Sequence, residues 1–348
     1  ALGRAIATYL RERAQADGPV NVAVAWDCRL SGERIFAALT AGLMASGANV
    51  IDIGVGPTPL LYFAAHHLQT DGAVMITGSH NPPEDNGFKL MEGTDTLFGP
   101  AIQTLGKLID DGALSEGPQG ELQRSDLSDA YVAKVRESVP LPEHATALKV
   151  VLDAGNGAAG PLAIRTLAAL GIEVDSLFCE MDGTFPNHHP DPTVDETLVE
   201  MIELVKEHGA DLGVAFDGDA DRIGVVDETG AIIRGDIILL LFGLDLLARK
   251  GPGHPLIFDV KCSQALPEVY GAAGGEPIMW MTGHSLIKEK MKETGAPLAG
   301  ELSGHICVAD EYLGFDDALY DACRMIDLVA RSDRPLSAQV AEFPAYVS

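Results

Sequence analysis

Asp211–Arg222 reads DLGVAFDGDADR, an apolar run that passes without a spacer into a loop with a carboxylate at every second position. The apolar part has the length and composition of a buried strand. Two other stretches share the layout: Gly72–Ile76 runs into TGSHNP (77–82), and, more weakly, Ala296–Ala299 runs into GELSGH (300–305). Upstream of each lies an apolar run ending in Asp, namely Val22–Asp27, Val150–Asp153 and Leu256–Asp259. Between them come helix-like stretches, clearest at Ile35–Met44 and Leu162–Leu170, and second strands at Ala48–Ile53, Ile172–Phe178 and Pro277–Met281. Strands alternating with helices in this way predict an α/β fold. The expectation is three successive, topologically similar mixed α/β domains with largely parallel strands. Open α/β sheets bind ligands beyond the carboxyl ends of their strands, so the three polar loops are expected to serve one shared cleft. Domain boundaries are expected at 1–125, 126–231 and 232–348, the first break falling after the Gly/Ser-rich segment Ser115–Gly120 and the second after Glu228-Thr229-Gly230.

Composition narrows the function. The 348 residues carry a net charge of −27, with 47% hydrophobic and 22% charged residues. Such a chain can build sizeable cores and is no disordered acid tail. It lacks the basic face that nucleic acid or an anionic membrane requires, so neither is expected as a partner. The five cysteines are scattered and form no CxxC pair, which predicts reduced thiols and a cytoplasmic location. A helical pattern (Leu2, Ile6, Leu10) starts at once after Ala1, as in the middle of an element, and predicts a trimmed chain. Segment Asp182–Thr193 (DGTFPNHHPDPT) is too rich in Pro and polar residues for one regular element.

The loops suggest chemistry. In an extended loop Asp217, Asp219 and Asp221 fall on one side, and three such carboxylates suit a hard cation such as Mg²⁺, Mn²⁺ or Ca²⁺. Two features count against an EF-hand: Arg222 stands where the turn needs Gly, and the flanks read as strands. Ser79 lies beside His80 and ahead of Asn86-Gly87-Phe88-Lys89, and its loop lacks the GxSxG elbow of acyl-transfer hydrolases. A serine serving alongside metal-binding carboxylates reads as a phosphate carrier, with the metal neutralising the charge in transfer. Glu301, Leu302, Ser303, Gly304 and His305 offer donors and acceptors for sugar hydroxyls. Lys89, Arg222, Lys261 and His284 are candidates to bind an anionic, phosphorylated ligand or to donate protons.

Taken together, TGSHNPPEDNGFK (77–89), DGDADR (217–222) and GELSGH (300–305) resemble the α-D-phosphohexomutase superfamily, closest to its bacterial bifunctional phosphomannomutase/phosphoglucomutase subgroup. FPNHHPDP (185–192), FDVKC (258–262) and TGHS (282–285) extend the resemblance over nearly the whole chain. It implies a phosphoserine at Ser79, with His80, Lys89 and Arg222 supporting transfer. It implies one Mg²⁺ held by Asp217, Asp219, Asp221 and the phosphoserine oxygen of Ser79, and activation by glucose or mannose 1,6-bisphosphate. Lys261 and His284 would line the substrate cleft, residues 301–305 would read the sugar, and Asp27 and Arg29 would brace the serine loop. The implied substrate is a small phosphosugar; the sequence leaves the oligomeric state open, with a monomer favoured.

The family's Tyr-Asp-Ile-Arg-Gly stretch and its fourth, C-terminal domain with an Arg-Ser-Asn-Thr loop do not occur in this chain. Weak or no turnover is therefore expected of these residues alone. Alternatives are phosphoglucosamine mutase, whose sugar loop usually has Gln where Leu302 stands, a metal-dependent sugar phosphatase, and an inactive sugar-phosphate-binding fragment.

Overall fold

Three sheets share one strand order in a computed structural model that describes residues 1–15 and 18–346. In the first sheet, strand Asn21–Trp26 lies centrally and pairs in parallel with Asn49–Val55 on one side and Gly72–Thr77 on the other. Val150–Asp153 sits likewise between Val174–Leu177 and Leu212–Phe216. Pro255–Asp259 sits between Glu276–Trp280 and Leu298–Gly300. A chain that begins in the centre, steps to one side and then crosses back leaves a crevice at the carboxyl ends of its first and third strands.

Each sheet also has a fourth strand, antiparallel to the third: Gly87–Glu92, Ile223–Asp227 and Ile306–Val308. Pairing closes at Thr77↔Gly87, Phe216↔Ile223 and Gly300↔Ile306. The three polar motifs are therefore tips of β-hairpins, anchored at both ends by the sheet. Anchoring at both ends limits the conformations available to each loop, as free connections to a helix would not.

Burial explains the helices. The first, Leu2–Ala14, turns Ile6 and Leu10 into a core with Val22, Val24, Leu39, Leu43 and Val74. It crosses helix Gly32–Ala45 closely enough that a Cβ on Gly3 would lie 2.1 Å from the Leu39 carbonyl oxygen. In the second sheet Val151, Met201 and Val205 share a core, and in the third Ile257, Ile287 and Met291 do.

Two compact units result, Ala1–Tyr131 with Asp182–Thr184, and Val132–Met181 with Phe185–Ser348. The second and third sheets belong to one unit because helix Ala318–Arg331 packs on strands Leu212–Phe216 and Ile223–Asp227 and also on helix Gly235–Lys250. Among the described residues no helix is long and apolar enough to cross a membrane.

That same helix buries a carboxyl group. Asp321 is 1% exposed, and neither carboxylate oxygen has a hydrogen-bond partner among the described residues. Burial, reinforced by Asp317, holds its pKa well above the ordinary value of 3.8, outweighing Arg324. The folded state thus keeps a proton that the unfolded chain releases, and stability falls as pH rises past the ordinary carboxyl range. Asp321→Asn should melt higher than the parent at neutral pH, by on the order of 2–4 °C. Below pH 3.8 the difference should vanish, which thermal unfolding across pH would check.

Candidate active site

The serine loop is shaped from within by a buried ion pair. Asp27, at the end of the first central strand, is 1% exposed and Arg29 is 2% exposed. Asp27 Oδ2 accepts hydrogen bonds from Thr77 Oγ1 (2.7 Å), Gly78 N (3.1 Å) and Arg29 Nε (3.1 Å). The other end of the guanidinium donates to backbone carbonyls around the turn: Nη2 to Ser79 (2.8 Å) and Asn81 (2.6 Å), Nη1 to Asp85 (3.0 Å) and Pro82. Five donors in one rigid plane suit this task, which a flexible ammonium would not perform. Gly78 is required by the close approach, since a Cβ there would lie 2.4 Å from Arg29 Cζ. Ser79 takes a left-handed φ of 50°, its N–H bonds Thr77 Oγ1 at 2.8 Å and its Oγ lies 3.1 Å from His80 Nδ1. Lys89 projects from the return strand of the hairpin, opposite Met75 in register.

The aspartates meet in the second unit, by a route other than the one their alternation suggests. Asp217–Arg222 is not extended. It curls into a tight turn in which Ala220 has φ 59° and donates its N–H to the Asp217 carbonyl at 3.0 Å. Asp217 Oδ1 also accepts the N–H groups of Asp221 (3.1 Å) and Arg222 (3.2 Å). Neighbouring segments hold the turn: Gly218 N donates to Pro190 O (3.2 Å), Ala158 N to Gly218 O (2.9 Å) and Ala318 N to Ala220 O (3.2 Å). Asp217, Asp219 and Asp221 are all at most 1% exposed, and each offers an oxygen within 4.8 Å of the others. Three buried like charges so close repel unless a cation compensates. Their all-oxygen donor set fits a hard divalent metal.

The sugar loop touches the metal loop directly. Ile223 N donates to Gly304 O at 3.1 Å. His305 Nδ1 lies 2.8 Å from Glu301 Oε2, and its Nε2 lies 3.3 Å from both Asp221 Oδ1 and Arg222 Nε. Burial opposes a charge on His305, but Asp221 and Glu301 outweigh it and raise its pKa to about 9. Glu301 also accepts the Gly283 N–H, and Ser303 Oγ lies 3.1 Å from His305 Nδ1. At the base of the loop, buried Asp259 accepts from Leu302 N (3.1 Å) and Thr282 Oγ1 (2.7 Å), with exposed Lys261 Nζ 3.8 Å away. His284 stacks on His305 with ring centres 5.1 Å apart. Burial lowers its pKa, with Lys288 and His305 acting in the same direction against Asp316.

Within the second unit, then, Arg222, His284, Glu301, Leu302, Ser303, Gly304 and His305 gather beside the three aspartates, while Ser79, His80 and Lys89 belong to the first. Sequence reasoning missed Asp316 and Lys288, which meet His284 from behind. Lys288 stands four residues after His284, a same-face helical spacing that is a usable signal. Asp316 is hidden in sequence behind Asp317, which caps the following helix by accepting from Tyr320 N at 3.0 Å. Also missed was the role of FPNHHPDP: His188 Nε2 lies 3.1 Å from buried Asp153, at the end of the second central strand. That contact raises the His188 pKa although burial works against it.

Comparison with known proteins agrees over the whole chain. Residues 1–113, 129–230 and 234–346 match the family models for phosphoglucomutase/phosphomannomutase alpha/beta/alpha domains I, II and III. A phosphomannomutase/phosphoglucomutase of Pseudomonas aeruginosa is 45% identical over 347 residues, 100% of this chain and 73% of that protein. A phosphoglucomutase of Neisseria gonorrhoeae is 45% identical over 335 residues, covering 96% of this chain and 71% of that protein. Among solved structures, a phosphoglucomutase/phosphomannomutase family protein from Burkholderia thailandensis superposes with a TM-score of 0.91 at 44% identity, covering 99% of this chain and 76% of that one. With three domains matched in order and each candidate loop set at the same place in its sheet, the chain belongs to the phosphoglucomutase/phosphomannomutase family.

Proposed function

We propose that the chain is a phosphohexomutase that interconverts the 1-phosphate and 6-phosphate of mannose or glucose through a phosphoserine and a 1,6-bisphosphate. The observation that carries the reading is the 45% identity, along 100% of the chain, to a protein named for both activities. The buried triad of aspartates supports it, because three clustered carboxylates suit a hard cation able to neutralise charge at a transferring phosphoryl group. Ser79 carries the phosphoryl group. Asp217, Asp219 and Asp221, together with the phosphoserine oxygen of Ser79, would hold one Mg²⁺. When bound, that ion supplies charge neutralisation at the transferring phosphoryl group.

The chain's own residues divide the remaining work. The Asp27–Arg29 brace fixes the Ser79 backbone, so the nucleophilic oxygen needs little reorganisation between half-reactions. Phosphoserine gives its phosphoryl group to the free hydroxyl of the sugar monophosphate: the Ser79 Oγ–P bond breaks, the sugar O–P bond forms and the hydroxyl proton ends on the freed Ser79 Oγ. The bisphosphate turns end for end and its other phosphate returns to Ser79. Lys89 and Arg222 offset negative charge during transfer, with His80 beside the serine oxygen. Lys261 and His284 line the substrate cleft. Glu301 and Ser303 accept from and donate to sugar hydroxyls, His305 donates, and Leu302 and Gly304 set the backbone that presents them. Glucose or mannose 1,6-bisphosphate primes Ser79, and the protein works as a cytoplasmic monomer with domain boundaries at residues 125 and 231.

Two variants test this. After incubation with glucose 1,6-bisphosphate and Mg²⁺, intact mass should show one phosphoryl group, absent in Ser79→Ala. In a coupled glucose 1-phosphate assay that variant should lose more than about 10³-fold of the turnover. A phosphorylated Ser79→Ala, or one with full turnover, would sink the assignment. Asp219→Asn should weaken Mg²⁺ binding in calorimetry by at least about tenfold while raising thermal stability in metal-free buffer, since it removes one of three repelling charges. Unchanged Mg²⁺ affinity would remove the triad as the metal site.

A further inference from the structure

Behind His284 stands a carboxylate that none of the chemistry above uses. Asp316 is 0% exposed and is delivered by the segment before helix Ala318–Arg331, where it forms a bridge to Cys307 of the third sheet. Its Oδ2 lies 2.7 Å from His284 Nδ1 and its Oδ1 lies 2.7 Å from Lys288 Nζ. His284 is thus gripped from behind by Asp316 and flanked by the His305 ring. By distance alone Asp221, His284, His305 and Asp316 could form a set of metal ligands. Lys288 already pairs with Asp316, Arg222 lies against His305, and His305 Nε2 lies 3.3 Å from Asp221 Oδ1. The arrangement is an internally compensated one, built to orient a ring.

We propose that Asp316 is a positioning residue that holds the proton of His284 on Nδ1 and so presents Nε2, as an unprotonated nitrogen, to the phosphosugar. This rests on the mutase reading for its substrate but not for its geometry. A carboxylate has only acceptors to offer, so the facing ring nitrogen must carry the hydrogen, and the other nitrogen of a neutral imidazole is then the acceptor. Lys288 makes the device directional. Its ammonium has donors only and claims one carboxylate oxygen, leaving the second to the imidazole.

The same constraint predicts what Asp316→Asn does. Lys288 will hold the amide oxygen, which turns the amide NH₂ toward His284 Nδ1. A donor now faces that nitrogen, so the proton moves to Nε2 and the ring presents the wrong atom. Nitrogen-15 NMR of the histidine rings at slightly alkaline pH reads this without any turnover. Parent protein should show His284 protonated on Nδ1, and Asp316→Asn should show it protonated on Nε2. A parent ring protonated on Nε2 would overturn the proposal whether or not any variant folds.

Kinetics supply the second arm. Asp316→Asn should lower kcat/KM for glucose 1-phosphate by about 10–100-fold, as loss of a ligand-orienting partner does. In a double-mutant cycle with His284→Gln, the pair should be no slower than His284→Gln alone. Losses that add, or an unchanged tautomer in Asp316→Asn, would show a merely structural role and overturn the assignment. Absence of a phosphoryl group on Ser79 of the parent after incubation with glucose 1,6-bisphosphate would overturn the functional reading, while the tautomer assignment would still be decided by the spectra.

Discussion

The organising constraint is a carboxylate buried at the end of each central strand. Asp27, Asp153 and Asp259 are each at most 1% exposed, and a charge withdrawn from water that far must be surrounded by donors. The donors come from the adjacent functional segments. Asp27 takes Thr77, Gly78 and Arg29; Asp259 takes Thr282 and the Leu302 N–H; Asp153 takes the Gly155 N–H and His188. Moving any of these loops would strand a buried charge. One device, repeated three times, therefore converts a sheet edge into a rigid platform for chemistry.

Repetition did not make the platforms identical. In the first and third copies the aspartate grips the hairpin tip itself. In the second it grips FPNHHPDP instead, and that segment passes support to the metal loop through the bond from Gly218 N to Pro190 O. The metal loop carries three acids of its own, and a fourth at its base would have added to their repulsion. Routing the support through a histidine and a proline carbonyl avoids that.

The charge of −27 acquires a different meaning at this scale. Residues 126–231 hold −15 of it, yet in the second unit Glu301, Asp221 and Asp316 have basic side chains beside them. His305 bridges Glu301 and Asp221, Lys288 and His284 share Asp316, and Arg222 lies against His305. Local cation placement allows an anionic sugar to be bound on an acidic protein, because screening weakens distant surface charges far more than close, buried ones.

Much of this was legible in the amino-acid order. Apolar runs of strand length, their spacing by helical segments and the threefold recurrence of a run ending in Asp depend on local pattern, and they determined the α/β class and the position of each motif. The residue types of TGSHN, DGDADR and GELSGH pointed to a phosphoryl carrier, a hard-metal site and a hydroxyl reader. Which atoms meet is a different matter. Alternation of Asp217, Asp219 and Asp221 suggested an extended strand, and tertiary structure replaced it with a tight turn, because the antiparallel return strand closes the loop at Phe216↔Ile223. Asp316 is distant in sequence from His284, and nothing local distinguishes it from the capping Asp317 beside it. Only the packing of helix Ala318–Arg331 on the second sheet and on helix Gly235–Lys250, with the bridge from Asp316 to Cys307, brings it there. Local pattern is read along the chain, whereas a buried charge chooses its partners across it, and that choice belongs to the fold.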